Sequence, residues 1–171
     1  MSKPSCKQNK ALSTTGIILG VFFALIFIGV RILSPSPYET IYRLDPSGIL
    51  PALWILNLIT FIWFFLIGYS AGTVADSALY CNGSFNDKLY FYQGSTAFTI
   101  CFFLSHVSYS TFFGGKHLFA AILMVLIAVI CSAATMILWA KIRKGAALIM
   151  GGYSIWLLYF FITYSNVALH V

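Results

Sequence analysis

The sequence predicts an all-α integral membrane protein, a single domain over residues 1–171 folded as a bundle of five transmembrane helices. Two observations carry this. Of the 171 residues, 60% are hydrophobic and only 8% charged, a ratio that the core of a water-soluble domain of this size has no room to hide. Apolar runs long enough to cross hydrocarbon, about 20 residues each, also recur five times with short polar stretches between them. A secreted disulfide scaffold, a soluble globular enzyme and a nucleic-acid binder are excluded, although the net charge of +6 would otherwise suit nucleic acid.

The first run covers residues 13–33, with Lys7 and Lys10 before it and Pro35 and Pro37 stopping it. Its length exceeds the h-region of a signal peptide, roughly 7 to 15 residues, so it reads as a retained helix. The second run covers 49–74 and contains Gly68-Tyr-Ser-Ala-Gly72. A GxxxG pattern lets helix backbones approach closely, which serves packing within the chain or a homodimer; Gly68 and Gly72 are the first candidates for a dimer face. The third run, 89–113, is diluted by Thr96, Thr99, Ser105, His106, Ser108 and Ser110. Inside lipid its backbone must be satisfied, so it is expected as a helix whose polar face looks into the bundle. The fourth, 118–139, has a face of small residues, Ala121, Ala128, Ser132 and Thr135, and ends in Trp139, which reads as an interface anchor. The fifth covers 145–169.

Five crossings put the termini on opposite sides. A cytoplasmic N-terminus gathers Lys3, Lys7, Lys10, Lys88, Lys141, Arg143 and Lys144 inside, against Arg31, Arg43 and Lys116 outside. Seven against three predicts an N-in, C-out protein of the cell membrane. The short basic loop from Lys141 to Lys144 is then a topology anchor, and the sequon at Asn82 lies on the wrong side for glycosylation.

Much chemistry is absent. Glu39, Asp45, Asp76 and Asp87 all fall in loops or at span ends, so no buried carboxylate is placed to carry a proton or sodium ion. Cys6, Cys81, Cys101 and Cys131 lack CxxC spacing, which argues against a redox motif or a zinc site. No nucleotide-binding or hydrolase motif occurs. Only His106 of the three histidines is intramembrane, and one imidazole alone is a poor metal site. No catalytic residue, metal or resident cofactor is expected.

What remains is aromatic. Tyr153, Trp156 and Phe160 follow one another at spacings of three and four and form one stripe of the fifth helix. Thr99, Phe103, His106 and Ser110 share a stripe of the third, and Asn57 is the only amide in the middle of a span. Two readings stand: these groups hold helices together, or they line a ligand pocket between helices two, three and five. The pocket reading takes Trp54 or Trp63, Asn57, His106, Tyr153, Trp156 and Phe160 as its walls.

The C-terminal third is the most specific. Lys141-Ile-Arg-Lys-Gly-Ala146, Tyr153-Ser-Ile-Trp156 and Tyr164-Ser-Asn166 resemble the last loop and fifth helix of the tryptophan-rich sensory protein or translocator protein (TspO/MBR) family. Phe112-Phe113 before a short loop resembles that family's third junction, and Pro46, Pro51, Trp54 and Gly68 its second helix. The chain departs from the pattern on the third helix, where small polar residues near Ser105 and Ser108 replace the expected tryptophan and asparagine. It departs again at Phe160, which stands at a position that is small in the family and would shrink or divide the pocket.

The resemblance implies a membrane receptor or sensor for a flat hydrophobic ligand: a porphyrin or other tetrapyrrole, a sterol, or an isoquinoline-type drug, with a link to its transport. Alternatives from other classes are an enzyme degrading a bound tetrapyrrole and a subunit of a membrane complex that holds no small ligand. The partners expected are the bilayer, the hydrophobic ligand and a second copy of the chain, with no nucleic acid.

Overall fold

The computed structural model describes residues 13–33, 52–80, 83–113 and 117–170. Lys3, Cys6, Lys7, Lys10, Pro35, Pro37, Glu39, Arg43, Asp45, Pro46, Pro51, Cys81, Asn82 and Lys116 lie outside them. Five helices follow in order: α1 (Thr14–Leu33), α2 (Leu53–Ala75), α3 (Phe85–Phe113), α4 (Leu118–Ala140) and α5 (Lys144–His170). A five-residue π turn, Asp76–Tyr80, continues α2. All the regular structure among the described residues is helical.

Three helices, over residues 54–79, 118–140 and 144–169, are long and apolar enough to cross a membrane. The apolar stretch of α1 is shorter, Thr14–Gly29. The third helix has 29 residues but less apolar character, because seryl and threonyl side chains interrupt it. It begins at Phe85, four positions before the expected start, because Ser84 caps it. The Ser84 backbone N–H and hydroxyl both donate to Asp87 Oδ2 at 2.8 Å, while the Asp87 N–H donates to Ser84 Oγ at 3.2 Å. This reciprocal capping box satisfies donors that a helix start leaves orphaned.

The glycines of α2 pack against α1 within the chain. A Cβ on Gly68 would stand 2.6 Å from the Leu19 carbonyl oxygen, and one on Gly72 would stand 2.6 Å from Gly16 Cα. Only hydrogen fits there. The face expected to join two copies is therefore covered by α1, and a homodimer would need another surface. Ser13 fastens the same pair at its end: it accepts from the Gly16 N–H at 2.9 Å and donates to Asp76 Oδ2.

The remaining helices pack in chain order, α3 on α4 and α4 on α5, and α5 returns to α2. The buried face of α4 is Ala121, Val125, Ala128, Ser132, Thr135 and Trp139, spaced four and three apart as one helix stripe demands. The small-residue face expected of this helix thus turns inward. Ser132 shares a 2.8 Å hydrogen bond with Ser154 of α5. Trp139 is no interface anchor: it is fully buried, 5.3 Å from the Phe98 ring, over Gly94. A Cβ on Gly94 would fall 2.5 Å from its indole nitrogen. Trp54, by contrast, is 68% exposed at the start of α2. The two tryptophans exchange the places expected of them, because position along a span does not tell which side of the helix a ring leaves from.

A candidate ligand cavity

The inward face of α3 runs Gly94, Phe98, Cys101, Ser108 and Phe112, all buried. The expected polar stripe is not this face, since Thr99, Phe103 and Ser110 are exposed. The physical reason is local satisfaction. Thr99 Oγ1 donates to the Ser95 carbonyl at 2.9 Å and Thr96 Oγ1 to the Tyr92 carbonyl at 3.0 Å, so these hydroxyls need no partner across the bundle. His106 alone of that stripe turns inward.

Between α2, α3 and α5, with Phe27 of α1 and Val125 of α4 closing two sides, lies a cavity with about 50 Å³ of free volume. Ligand pockets generally hold about 300 to 1,000 Å³ and are apolar with few polar groups; this cavity has such a lining but a smaller volume, so a ligand of ordinary size has to part the wall rings. With so little free space between its rings, the cavity is a narrow slot. Helix α5 supplies the longest wall, with Tyr153, Trp156, Leu157, Phe160 and Tyr164 at helical spacing. Helix α3 adds Ser105, His106, Ser108 and Tyr109, and α2 adds Thr60 and Phe64.

The rings are locked by one another. Phe160 meets Trp156 edge to face at 5.0 Å and Tyr109 at 6.3 Å, and lies 5.6 Å from Tyr164. Tyr164 stacks on Phe112 with centroids 3.7 Å apart and planes 8° from parallel. Phe64 stands 4.7 Å from the imidazole of His106 and 5.3 Å from Phe27. Each such contact adds about 0.5 to 1.5 kcal/mol beyond area burial, so the rings hold one another in place.

The polar atoms are mostly turned inward on the protein. Tyr153 donates to Ser105 Oγ at 3.1 Å, Ser105 to the Phe102 carbonyl at 2.9 Å, and Ser108 to the Ser105 carbonyl at 2.8 Å. Thr60 donates to the Leu56 carbonyl at 2.7 Å. No lysine, arginine or carboxylate is among the described residues of the wall. Nor do three of His, Cys, Asp and Glu gather anywhere among the described residues to hold a metal ion.

Of the residues singled out by sequence, His106, Tyr153, Trp156 and Phe160 come together on this cavity. Trp54, Asn57 and Trp63 are not part of its lining. Trp63 sits behind the wall, 6.0 Å from the Tyr153 ring, and its six-membered ring lies where a Cβ on Gly152 would be. Asn57 is half-buried on α2, outside the lining. The cavity face of α2 is instead Thr60 and Phe64, one helical turn apart. Those two, with Phe27, Ser105, Ser108, Tyr109, Val125, Leu157 and Tyr164, are the wall residues that the expected pocket did not include. Tyr164 had a signal, standing one turn beyond Phe160 on the same stripe; Phe27 and Phe64 had none, being two among 16 phenylalanines.

The TspO/MBR family model matches residues 17–171, nearly the whole chain. No curated protein and no solved structure matches it.

Proposed function

The chain belongs to the TspO/MBR family, and we propose that it is a membrane receptor that binds a flat hydrophobic ligand in the slot between α2, α3 and α5. The observation that carries the reading is the lining of the slot, an apolar wall of interlocked rings inside a helix bundle. Family membership supports a sensing or ligand-binding role in general. Porphyrins and other tetrapyrroles, sterols and isoquinoline-type compounds are apolar enough for this lining once its rings part, and the ligand packs against Trp156. In the cell membrane, with the N-terminus cytoplasmic, Lys88, Lys141, Arg143 and Lys144 lie on the inner side.

Titration of the full chain in detergent with a porphyrin, followed by tryptophan fluorescence, tests the proposal. Saturable quenching with the porphyrin spectrum otherwise preserved is the expected result. A new absorbing product would favour an enzyme, and absence of any response would favour a subunit without a small ligand.

A further inference from the structure

His106 is a polar side chain of the slot whose bonding is only half used. Its Nδ1 lies 3.3 Å from the Phe102 carbonyl oxygen. A carbonyl only accepts, so in the neutral ring this nitrogen carries the hydrogen and Nε2 is left with its lone pair. Nδ1 is turned back toward the helix's own backbone, which leaves Nε2 on the outward edge of a ring that borders the slot. Nε2 has no hydrogen-bond partner among the described residues. The ring is held in that pose from two sides, by Phe64 of α2 at 4.7 Å and by Phe102 at 4.7 Å.

The other small polar groups differ from it. The hydroxyls of Thr60, Ser105, Ser108 and Tyr153 all donate within the protein, so none of the four has its proton left for a ligand. From this we infer that His106 Nε2 sets the ligand's chemistry: the slot takes an uncharged, flat molecule that offers an N–H or O–H donor to this nitrogen. The inference rests on the slot being a ligand site and specifies what that site selects. A ligand lacking the donor would bury Nε2 unpaired, and a buried acceptor without a partner costs more than a hydrogen bond gains. A ligand bearing a carboxylate would bring a second acceptor to the described wall, which carries no cation.

Carbazole and N-methylcarbazole isolate the donor. Both are flat, neutral tricycles, and they differ in a single N–H. The full chain in lipid nanodiscs should bind carbazole roughly three- to tenfold more tightly than N-methylcarbazole, the range expected for one neutral hydrogen bond. His106→Phe keeps a ring against Phe64 and Phe102 and removes the acceptor; it should bring the two affinities together by weakening carbazole alone. His106→Gln, which restores an acceptor oxygen, should recover part of the preference. Equal binding of both probes by the parent protein, or a preference that survives His106→Phe, overturns the inference and leaves the slot standing as a ligand site. Binding of neither probe by the parent overturns the inference together with the ligand reading of the slot.

Discussion

Phe160 is the residue whose substitution changes the slot most directly. Its ring is buried and meets Trp156, Tyr109 and Tyr164 at once, so Phe160→Ala opens space without removing a polar partner. The expected outcome is a tighter complex with a porphyrin-sized ligand, by a few-fold or more, read from equilibrium titration. The same deletion should lower stability by about 3 to 5 kcal/mol, the usual cost of truncating a buried phenylalanine, visible as a lower thermal midpoint in detergent. Its stripe with Tyr153 and Trp156 was legible because helical spacing alone puts such residues on one face. Trp54 was misplaced for the complementary reason: the sequence carries its depth in the membrane and not its azimuth. Trp63 lies near the slot yet behind it, a distinction of one ring's thickness that no spacing rule resolves.

At the scale of helices, the pairing of α1 with α2 depends on backbone contact. Gly68 and Gly72 meet Leu19, Gly20 and Gly16 where a Cβ has no room. Replacing both glycines with leucine should therefore unseat α1 and destabilise the fold, by about 1 to 3 kcal/mol or more for such overpacking. Thermal unfolding with size-exclusion chromatography distinguishes this from loss of a dimer: a stable, folded monomer would contradict the packing described. The GxxxG pattern was readable in the sequence, but its partner was not, because a small-residue face fits any close helix. The start of α3 shows a different gap. Ser84 and Asp87 form an ordinary capping box at the correct spacing, and its polar character hid it within what reads as a loop. Ser84→Ala should cost about 1 kcal/mol, measured as a drop in the thermal midpoint.

For the whole molecule, five helices were legible from hydropathy, and all five are present, though only three are long and apolar enough to span on composition alone. The third helix was the hardest to read because its hydroxyls lower its apolarity while bonding their own backbone, which makes them tolerable in lipid. Orientation follows from basic residues, and single-cysteine labelling checks it. With the N-terminus cytoplasmic, Cys6 and Cys81 should react only when the reagent reaches the cytoplasm; labelling of Cys81 on intact cells by an impermeant reagent would reverse the orientation.

The central claim is that the ligand lies against α5 in the slot and not at the exposed aromatic end of α2. Equilibrium affinity for a porphyrin, read from its own absorbance with the parent chain, Trp156→Ala and Trp54→Ala, tests it most directly. Trp156 borders the slot while Trp54 is 68% exposed. Loss of a stacking wall worth about 0.5 to 1.5 kcal/mol beyond buried area predicts that Trp156→Ala binds a few-fold or more weakly and that Trp54→Ala binds like the parent. Unchanged binding in Trp156→Ala with weakened binding in Trp54→Ala would contradict the account and place the ligand outside the bundle.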